Sequence, residues 1–394
     1  MSKILIINPI LYTAETNRIP KVSSIKDTMI YALCMGFVHG GHKVTLIAAQ
    51  DYRPLREEEY PFTVLYQKTV WHKIFMPRCF PYMPGLRGYL RRHREFDLIL
   101  TSEVFAPWSY TAVRMRPDRT IVWHELAAHN HMLHRIPSKV WYNGVARLLM
   151  KKALVVPRSE AASVFIRQFM KRVSKTVVDH GVDLTKLDTV MQAKKEQDAR
   201  EQSAAEKPVA GRPVFPEKKK QFVVVSQLIE RKRIHRILEV FAELIGRGYE
   251  DYRLYLIGSG ERETALRSLA EKLQLREKVI FCGQMRHEQL LPVVAASKAM
   301  LVYTEKDNNM VSIVESIAVG TPVVTTAVPY NAAYIRQEQL GIAEDDWSVE
   351  ALVKMIRDNE FYRQNCLHYR ERLSADFCAG QFLRILRAEE DSLC

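Results

Sequence analysis

Short apolar runs, each followed by a stretch with helical spacing, recur along this chain. KILIINPI (Lys3–Ile10) predicts a buried first strand. A polar loop follows. Apolar positions at helical spacing then predict a helix from about Ile25 to His39, stopped by Gly40 and Gly41, and KVTLIAA (Lys43–Ala49) predicts the next strand. Strand–helix–strand order is the building unit of a parallel sheet. DLILTS (Asp97–Ser102) and TIVWHE (Thr120–Glu125) read as further strands with polar residues at their C-terminal ends. In open parallel sheets those ends carry the binding crevice. ALVVPRS (Ala153–Ser159) and KTVVDHG (Lys175–Gly181) continue the alternation.

Between about Leu187 and Lys220 the pattern fails. The segment is rich in Lys, Glu and Pro and lacks aliphatic periodicity, so it reads as an exposed linker or insertion, 188–220. The rhythm then restarts with strands at Phe222–Ser226, Arg253–Gly258, Lys278–Gly283, Ala299–Thr304 and Thr321–Thr326. Helices between them are predicted near Ile234–Arg247, Glu263–Leu273, Glu288–Ala296 and Ile313–Val319. The expected fold class is α/β: two doubly wound domains, 1–187 and 221–374, with a cleft between their facing edges. A helix in 375–394 is expected to pack back toward the first domain.

Composition narrows the class. The 394 residues are 47% hydrophobic and 26% charged, which excludes wholesale disorder. The six cysteines never approach closer than twelve positions, so neither a disulfide framework nor a CxxC zinc site is expected, and a reducing compartment is. The opening MSKILIINPILY is too short and badly flanked for a signal peptide, and no apolar stretch reaches about 18 residues. A cytoplasmic protein is the expectation. The net charge of +13 is unevenly placed: residues 1–188 hold 28 Lys and Arg against 15 Asp and Glu, leaving 30 of each for 189–394. A basic front half predicts an anionic surface or substrate there.

The densest chemical signal is DNNMVSIVESIAVGTPVVTT (Asp307–Thr326). An Asn-rich loop leads into a helix near Ser312, closed by Gly320 and Pro322. Ser312 and Glu315 have the spacing of a capping box, so Glu315 has a purely structural reading. The same geometry also offers free amides for an anion, with a carboxylate one turn in that suits vicinal sugar hydroxyls. Both readings stand at this point.

This segment resembles the carboxylate signature of retaining GT-B glycosyltransferases, above all glycosyltransferase family 4: Glu, seven residues, Glu, then a small-residue helix ending Gly-x-Pro-Val-Val. Glu315 takes the second glutamate, in register with Gly320 to Val324, and Asp307 stands at the first. The resemblance implies that Glu315 holds the nucleotide ribose and that Asp307 lies beside the donor sugar. It also implies that the amides of about Asn309, Met310 and Val311 face the phosphate and sugar. In VVVSQLIERKRIHRILEVF (Val223–Phe241), Lys232 takes the phosphate-binding Lys position while Gln227 stands where an Arg is expected. An amide cannot replace a guanidinium fork, so either Arg231 or Arg233 compensates or the diphosphate is held with less charge. YLIGSGERE (Tyr255–Glu263) resembles the family's glycine-bearing turn, which read alone is a tight turn. VIFCGQM (Val279–Met285) resembles the strand and turn that contact the base.

In WHELAAH (Trp123–His129), His124 matches a strand-end histidine that faces the donor sugar, with Glu125 in place of the usual aspartate. A zinc reading of HELAAH fails, because His124 and His129 are five positions apart, about 140° around a helix. His129, His131 and His134 read as a surface cluster. HGVDLTKL (His180–Leu187) resembles the segment that closes the first domain. The family's glycine-rich first loop is replaced by glycine-free YTAETNRIPKVSSIKD (Tyr12–Asp27), whose Lys21, Ser23 and Ser24 still offer donors.

Residues 68–96 interleave Lys73, Arg78, Arg87, Arg91, Arg92 and Arg94 with Trp71, Phe75, Phe80, Tyr82 and Tyr89. This is either a solvated face over an aromatic core or a surface for anionic lipid headgroups. No nucleic-acid motif accompanies the charge, so nucleic acid is not the expected partner. The resemblance implies retaining transfer of a sugar from a nucleotide-diphosphate sugar to a glycan or lipid-linked acceptor, with neither cofactor nor metal, in polysaccharide or glycolipid assembly. A peripheral position on the inner face of the plasma membrane would suit it. A GT-B epimerase and a non-catalytic sugar-nucleotide or membrane-binding protein are the alternatives.

Overall fold

The computed structural model describes residues 1–12, 19, 22–26, 28–56, 58–76, 78–130, 132–201 and 218–391. The chain divides into two compact units, Met1–Asp183 with Ser374–Cys394, and Leu184–Leu373.

In the first unit six parallel strands, β1 (Lys3–Ile7), β2 (Lys43–Ala49), β3 (Thr63–Gln67), β4 (Leu98–Ser102), β5 (Thr120–His124) and β6 (Leu154–Pro157), form a sheet in the order β3-β2-β1-β4-β5-β6. Ile4, Leu5, Ile6 and Ile7 are each at most 1% exposed, as a strand covered on both faces requires. The helix Met29–His39 starts where Thr28 caps the Tyr31 amide, four residues later than the apolar spacing suggests. It packs against the C-terminal helix Ala375–Asp391, so closely that a Cβ on Gly36 would lie 2.3 Å from the Ala375 carbonyl oxygen.

The second unit repeats the plan. Strands β7 (Gln221–Val225), β8 (Arg253–Ile257), β9 (Val279–Gly283), β10 (Ala299–Val302), β11 (Val323–Thr325) and β12 (Gly341–Ala343) run in the order β12-β11-β10-β7-β8-β9, all parallel. Counted from each unit's first strand, the two sheets have the same order. Its reversal lies between β1 and β4 in one and between β7 and β10 in the other. At such a switch point the connections diverge to opposite faces and leave room beyond the strand ends for a ligand.

Several sequence expectations are corrected. Lys175–Gly181 is not a strand: Val178 donates to the Pro157 carbonyl as an irregular edge, since only two β-branched apolar residues precede Asp179-His180-Gly181. The segment beginning at Leu187 is not wholly a linker, because a helix spans Leu184–Glu201 and buries Leu187 and Met191. Its Lys, Glu, Gln and Ala residues are good helix formers, and two apolar anchors one turn apart suffice to dock it. The remainder, 202–217, lies outside the described residues, as do Lys21 and His131. The strands β3 and β12 were not legible, the first half-exposed at a sheet edge and the second only three residues long.

Candidate functional site

In the second unit the loops leaving β7 and β10 are tied together at the switch point. After β7 the chain makes a single tight turn, Glu230–Lys232, before Arg233 in the left-handed region admits the helix Ile234–Gly246. That turn presents Lys232, only 9% exposed, toward the loop after β10. Its Nζ donates to Asp307 Oδ2 at 2.8 Å, and the Thr304 hydroxyl donates to the same oxygen at 2.6 Å. Arg231 donates to Asp307 Oδ1 at 2.9 Å and to the Lys306 carbonyl at 2.7 Å. The Glu305 amide in turn donates to the Arg231 carbonyl.

Burial works against the charged Asp307, but the hydrogen bonds from Lys232 and Thr304 and the Lys232 charge hold its carboxyl below the usual range. For Lys232, burial lowers the ammonium's pKa, with Asp307 opposing. Two cations share one carboxylate, so the cluster keeps one net positive charge for an anion. Lys232, Asp307 and Arg231 are thus brought together. Arg233 instead reaches Glu305 at 3.4 Å. Gln227 lies just beyond the end of β7. There the glycine turn presses onto its neighbours: a Cβ on Gly258, at φ +133°, would fall 1.8 Å from the Ser226 carbonyl oxygen. The GxG turn is therefore a close backbone contact that no side chain permits.

The helix Val311–Ala318 has Met310, not Ser312, at its N-cap, and the Met310 side chain makes no capping hydrogen bond. The capping-box reading of Glu315 is corrected accordingly. The Met310 amide, which the resemblance turns toward the donor, donates to Oδ1 of the fully buried Asn331 at 2.6 Å. That leaves the loop anchored but spends one of its three amides inside the protein. Asn309 and Val311 flank this anchor. Glu315, one turn in, pairs through Oε1 with His287 Nε2 at 2.8 Å. His287 opens the helix His287–Ala296. Burial disfavours the imidazolium, yet the Glu315 contact outweighs it and raises the His287 pKa. Neither His287 nor Asn331 was found by sequence reasoning, since each acts through a partner distant in the chain.

In the first unit a second polar cluster sits at the C-terminal ends of β4, β5 and β6. His124 ends β5 and is wholly buried. Its Nδ1 lies 2.9 Å from Glu103 Oε2, and its Nε2 has no hydrogen-bond partner among the described residues. Glu103 follows β4 with φ +65°, a conformation that costs a non-glycine residue about 1 kcal/mol or more. Its Oε1 accepts from the Glu125 amide at 2.8 Å. Burial raises the Glu103 pKa, but the His124 charge and contact reverse it, with Arg158 and the Glu125 amide adding, so the carboxyl sits below its ordinary range.

Glu125 accepts from Arg158 at 2.9 Å, and the Arg158 guanidinium lies 3.8 Å from the Trp123 ring centroid. Burial, seconded by Arg158, drives the His180 pKa well down. Glu103 directly follows β4 and Arg158 directly follows β6, and sequence reasoning singles out neither, since each acts through partners at the end of a neighbouring strand.

His129 is corrected from surface to half-buried. It packs among Tyr142, Phe165 and Phe169, and burial lowers its pKa. His134 is exposed. In the first loop the Ser24 hydroxyl donates to Glu58 Oε2 at 2.5 Å. The basic segment divides by side. The helix Gly85–Arg92 buries Leu86 and Leu90 and exposes Arg87, Arg91 and Arg92. Tyr82 stacks on Trp71 and Phe75, with centroids at 5.3 and 4.9 Å, while Lys73 is exposed and Arg78 half-buried. Trp71 and Ile74 remain 62% and 74% exposed beside these charges.

The two parallel six-stranded sheets match the structures of solved GT-B glycosyltransferases. The WaaG glycosyltransferase of lipopolysaccharide biosynthesis matches at a TM-score of 0.60 and 13% identity, over 97% of this chain and 99% of that one. Anabaena HepE, solved with UDP, matches at 0.63 and 14%, over 98% and 100%. The fold is therefore that of the GT-B class.

Two family models account for most of the sequence: Glycosyltransferase Family 4 over residues 27–186 and Glycosyl transferases group 1 over residues 209–372. The chain belongs to the GT-B glycosyltransferases of this group 1 and family 4 type. Among curated relatives, N-acetyl-alpha-D-glucosaminyl L-malate synthase of Bacillus anthracis is 22% identical over 165 residues, 41% of this chain and 42% of the relative. Alpha-monoglucosyldiacylglycerol synthase of Streptococcus pneumoniae is 21% identical over 187 residues, 48% and 40% respectively. These matches span less than half the relatives' length. No helix among the described residues is long and apolar enough to cross a membrane.

Proposed function

We propose that the protein transfers a sugar, with retention of anomeric configuration, from a nucleoside-diphosphate sugar to a hydroxyl of a glycan or lipid-linked acceptor, without a metal. The observation that carries this reading is the switch-point cluster of the second unit. A buried Lys232 with spare positive charge around it is paired with Asp307 of the loop after β10, and Glu315 lies one turn inside the helix that this loop enters. Breaking the anomeric bond places negative charge on the leaving diphosphate and positive charge on the sugar. Lys232, Arg231 and the helix-end amides answer the first; Asp307, in the same unit, supplies polarity for the second. The preorganised ion pair means that the cation needs little rearrangement when the charge develops. The leaving phosphate takes the acceptor proton, so no protein base is assigned.

Support for a nucleotide donor comes from HepE, whose solved complexes hold UDP and UDP-glucose. Support for a lipid-linked acceptor comes from a relative named as a glycosyl-diacylglycerol synthase. Both family models describe glycosyl transfer, which favours transfer over epimerisation. Arg87, Arg91, Arg92 and Lys73, with Trp71 and Ile74, would bring the enzyme to an anionic membrane face.

Thermal stabilisation against UDP-, GDP-, dTDP- and CMP-sugars, with free nucleotides as controls, tests the donor site. A selective rise of several degrees is expected. The anomeric coupling constant of the transferred sugar then reads the stereochemistry, and EDTA should leave the rate unchanged. An inverted product overturns retention, and an EDTA-abolished rate overturns metal independence. No stabilisation by any donor overturns the nucleotide reading and leaves a non-catalytic binding protein.

A further inference from the structure

We propose that His287 is the positioning residue for Glu315, holding its carboxylate in the orientation from which the remaining lone pairs accept a nucleotide's ribose hydroxyls; this rests on the nucleotide reading above. The geometry is local to the second unit. The helix His287–Ala296 packs against the helix Val311–Ala318, and His287 stands at the first position of one while Glu315 stands one turn inside the other. The contact is direct, Nε2 to Oε1 at 2.8 Å, and both side chains are largely covered, 28% and 19% exposed.

A structural role for Glu315 as helix cap is excluded by the N-cap of its helix at Met310, five residues before it. Its other oxygen is not drawn into capping. An ionised carboxylate offers about four acceptor sites, of which the imidazole occupies one. A vicinal diol can therefore add to the pair without displacing His287. The imidazole's other nitrogen, Nδ1, is buried and has no hydrogen-bond partner among the described residues. The ring is thus placed by its contact with Glu315 rather than by a competing bond, at the cost of one unsatisfied group. Such a cost is expected where a residue serves a neighbouring site. The other charged groups that bear on the ring are Lys186, from the helix Leu184–Glu201, and Glu288 on its own helix. They act in opposite senses, so Glu315 decides its state.

The test compares affinities for UDP with 2′-deoxy-UDP, and for GDP with 2′-deoxy-GDP, by isothermal titration of the full chain. The wild type is expected to favour the ribo form of its nucleotide by about tenfold, the worth of one charge-assisted hydrogen bond. Glu315→Ala should erase that preference. His287→Ala should reduce it to about twofold or less, a comparable loss, without abolishing binding. His287→Gln, which keeps one N–H donor on a side chain of similar reach, should restore most of it. Loss of packing alone would weaken both members of a pair equally and leave their ratio intact.

An unchanged ratio in His287→Ala, with the ratio lost in Glu315→Ala, overturns this proposal and leaves the nucleotide site standing. A wild type that binds none of the four, or a Glu315→Ala that keeps the ratio, overturns the ribose contact of Glu315 and this proposal with it, while the donor panel above decides the nucleotide reading separately. Should His287→Ala fail to fold, His287→Asn, polar but too short to reach Glu315, carries the same comparison.

Discussion

Removing Asp307 should destabilise the second unit, and the structure gives the size of the effect. The carboxylate is 12% exposed and its Lys232 partner 10%, so Asp307→Ala leaves an ammonium buried without a counter-charge. Loss of one partner from a buried pair costs about 3–5 kcal/mol. The lower end applies here, because Lys232 retains some exposure and burial already eases its deprotonation. Arg231 adds little: its side chain is 43% exposed, and exposed pairs contribute about 1 kcal/mol at most.

The expected loss is therefore about 3 kcal/mol, or about 6–12 °C in melting temperature for a domain of this size. Calorimetry at pH 7 reads it, and a cycle with Lys232→Met isolates the pair. The sign with pH is fixed by the depressed carboxyl. Its stabilisation is complete above the unfolded value near 3.9 and is lost as pH falls through the folded one. The difference between wild type and variant should hold steady from about pH 5 to 8 and shrink below about 4. A loss under about 1 kcal/mol at pH 7 would refute the reading of a buried ion pair.

The pairing of His287 with Glu315 has the opposite pH sense. A raised histidine pKa gives stability that is fully present below about 6.5 and lost as pH rises through the folded value. Melting temperatures of wild type and His287→Gln should accordingly converge toward alkaline pH, and a parallel pair of curves would contradict the raised pKa. Glu103→Gln should cost about 1–3 kcal/mol in urea denaturation, since a half-buried charge facing His124 and Arg158 is lost at a residue in the left-handed region. A change within measurement error would mean that His124 is held by packing alone. Replacing Arg87, Arg91 and Arg92 together by Ala should leave folding within about 1 kcal/mol, because all three point outward. It should also reduce sedimentation with anionic vesicles, and undiminished sedimentation removes this helix from any membrane contact.

How much of this was legible depends on the range of the forces involved. Strands such as β1 and β7 were readable because a strand covered on both faces must be a run of aliphatic residues, whatever surrounds it. Helix ends were less so: Thr28 and Met310 set boundaries through single hydrogen bonds that periodicity does not register. The helix Leu184–Glu201 was hidden because it is polar along most of its length and docks by only a few apolar residues.

The candidate site divides in the same way. The sequence by itself determined the α/β alternation, the two-unit organisation, the basic front half, and the places of Lys232, Asp307, Glu315 and His124 at or after strand ends or inside a helix. Those are properties of residues near one another in the chain. Only the tertiary structure decided what each of them touches. Lys232 meets Asp307 because β7 and β10 are neighbours, although 75 positions separate the two residues. Glu315 meets His287 because two helices pack, and His124 meets Glu103 because β4 and β5 pair in register. A hydrogen bond depends on the position of two atoms to within a fraction of an ångström. Sequence pattern carries only the period of a face, so it names the residues and leaves their partners to the packing of the sheet.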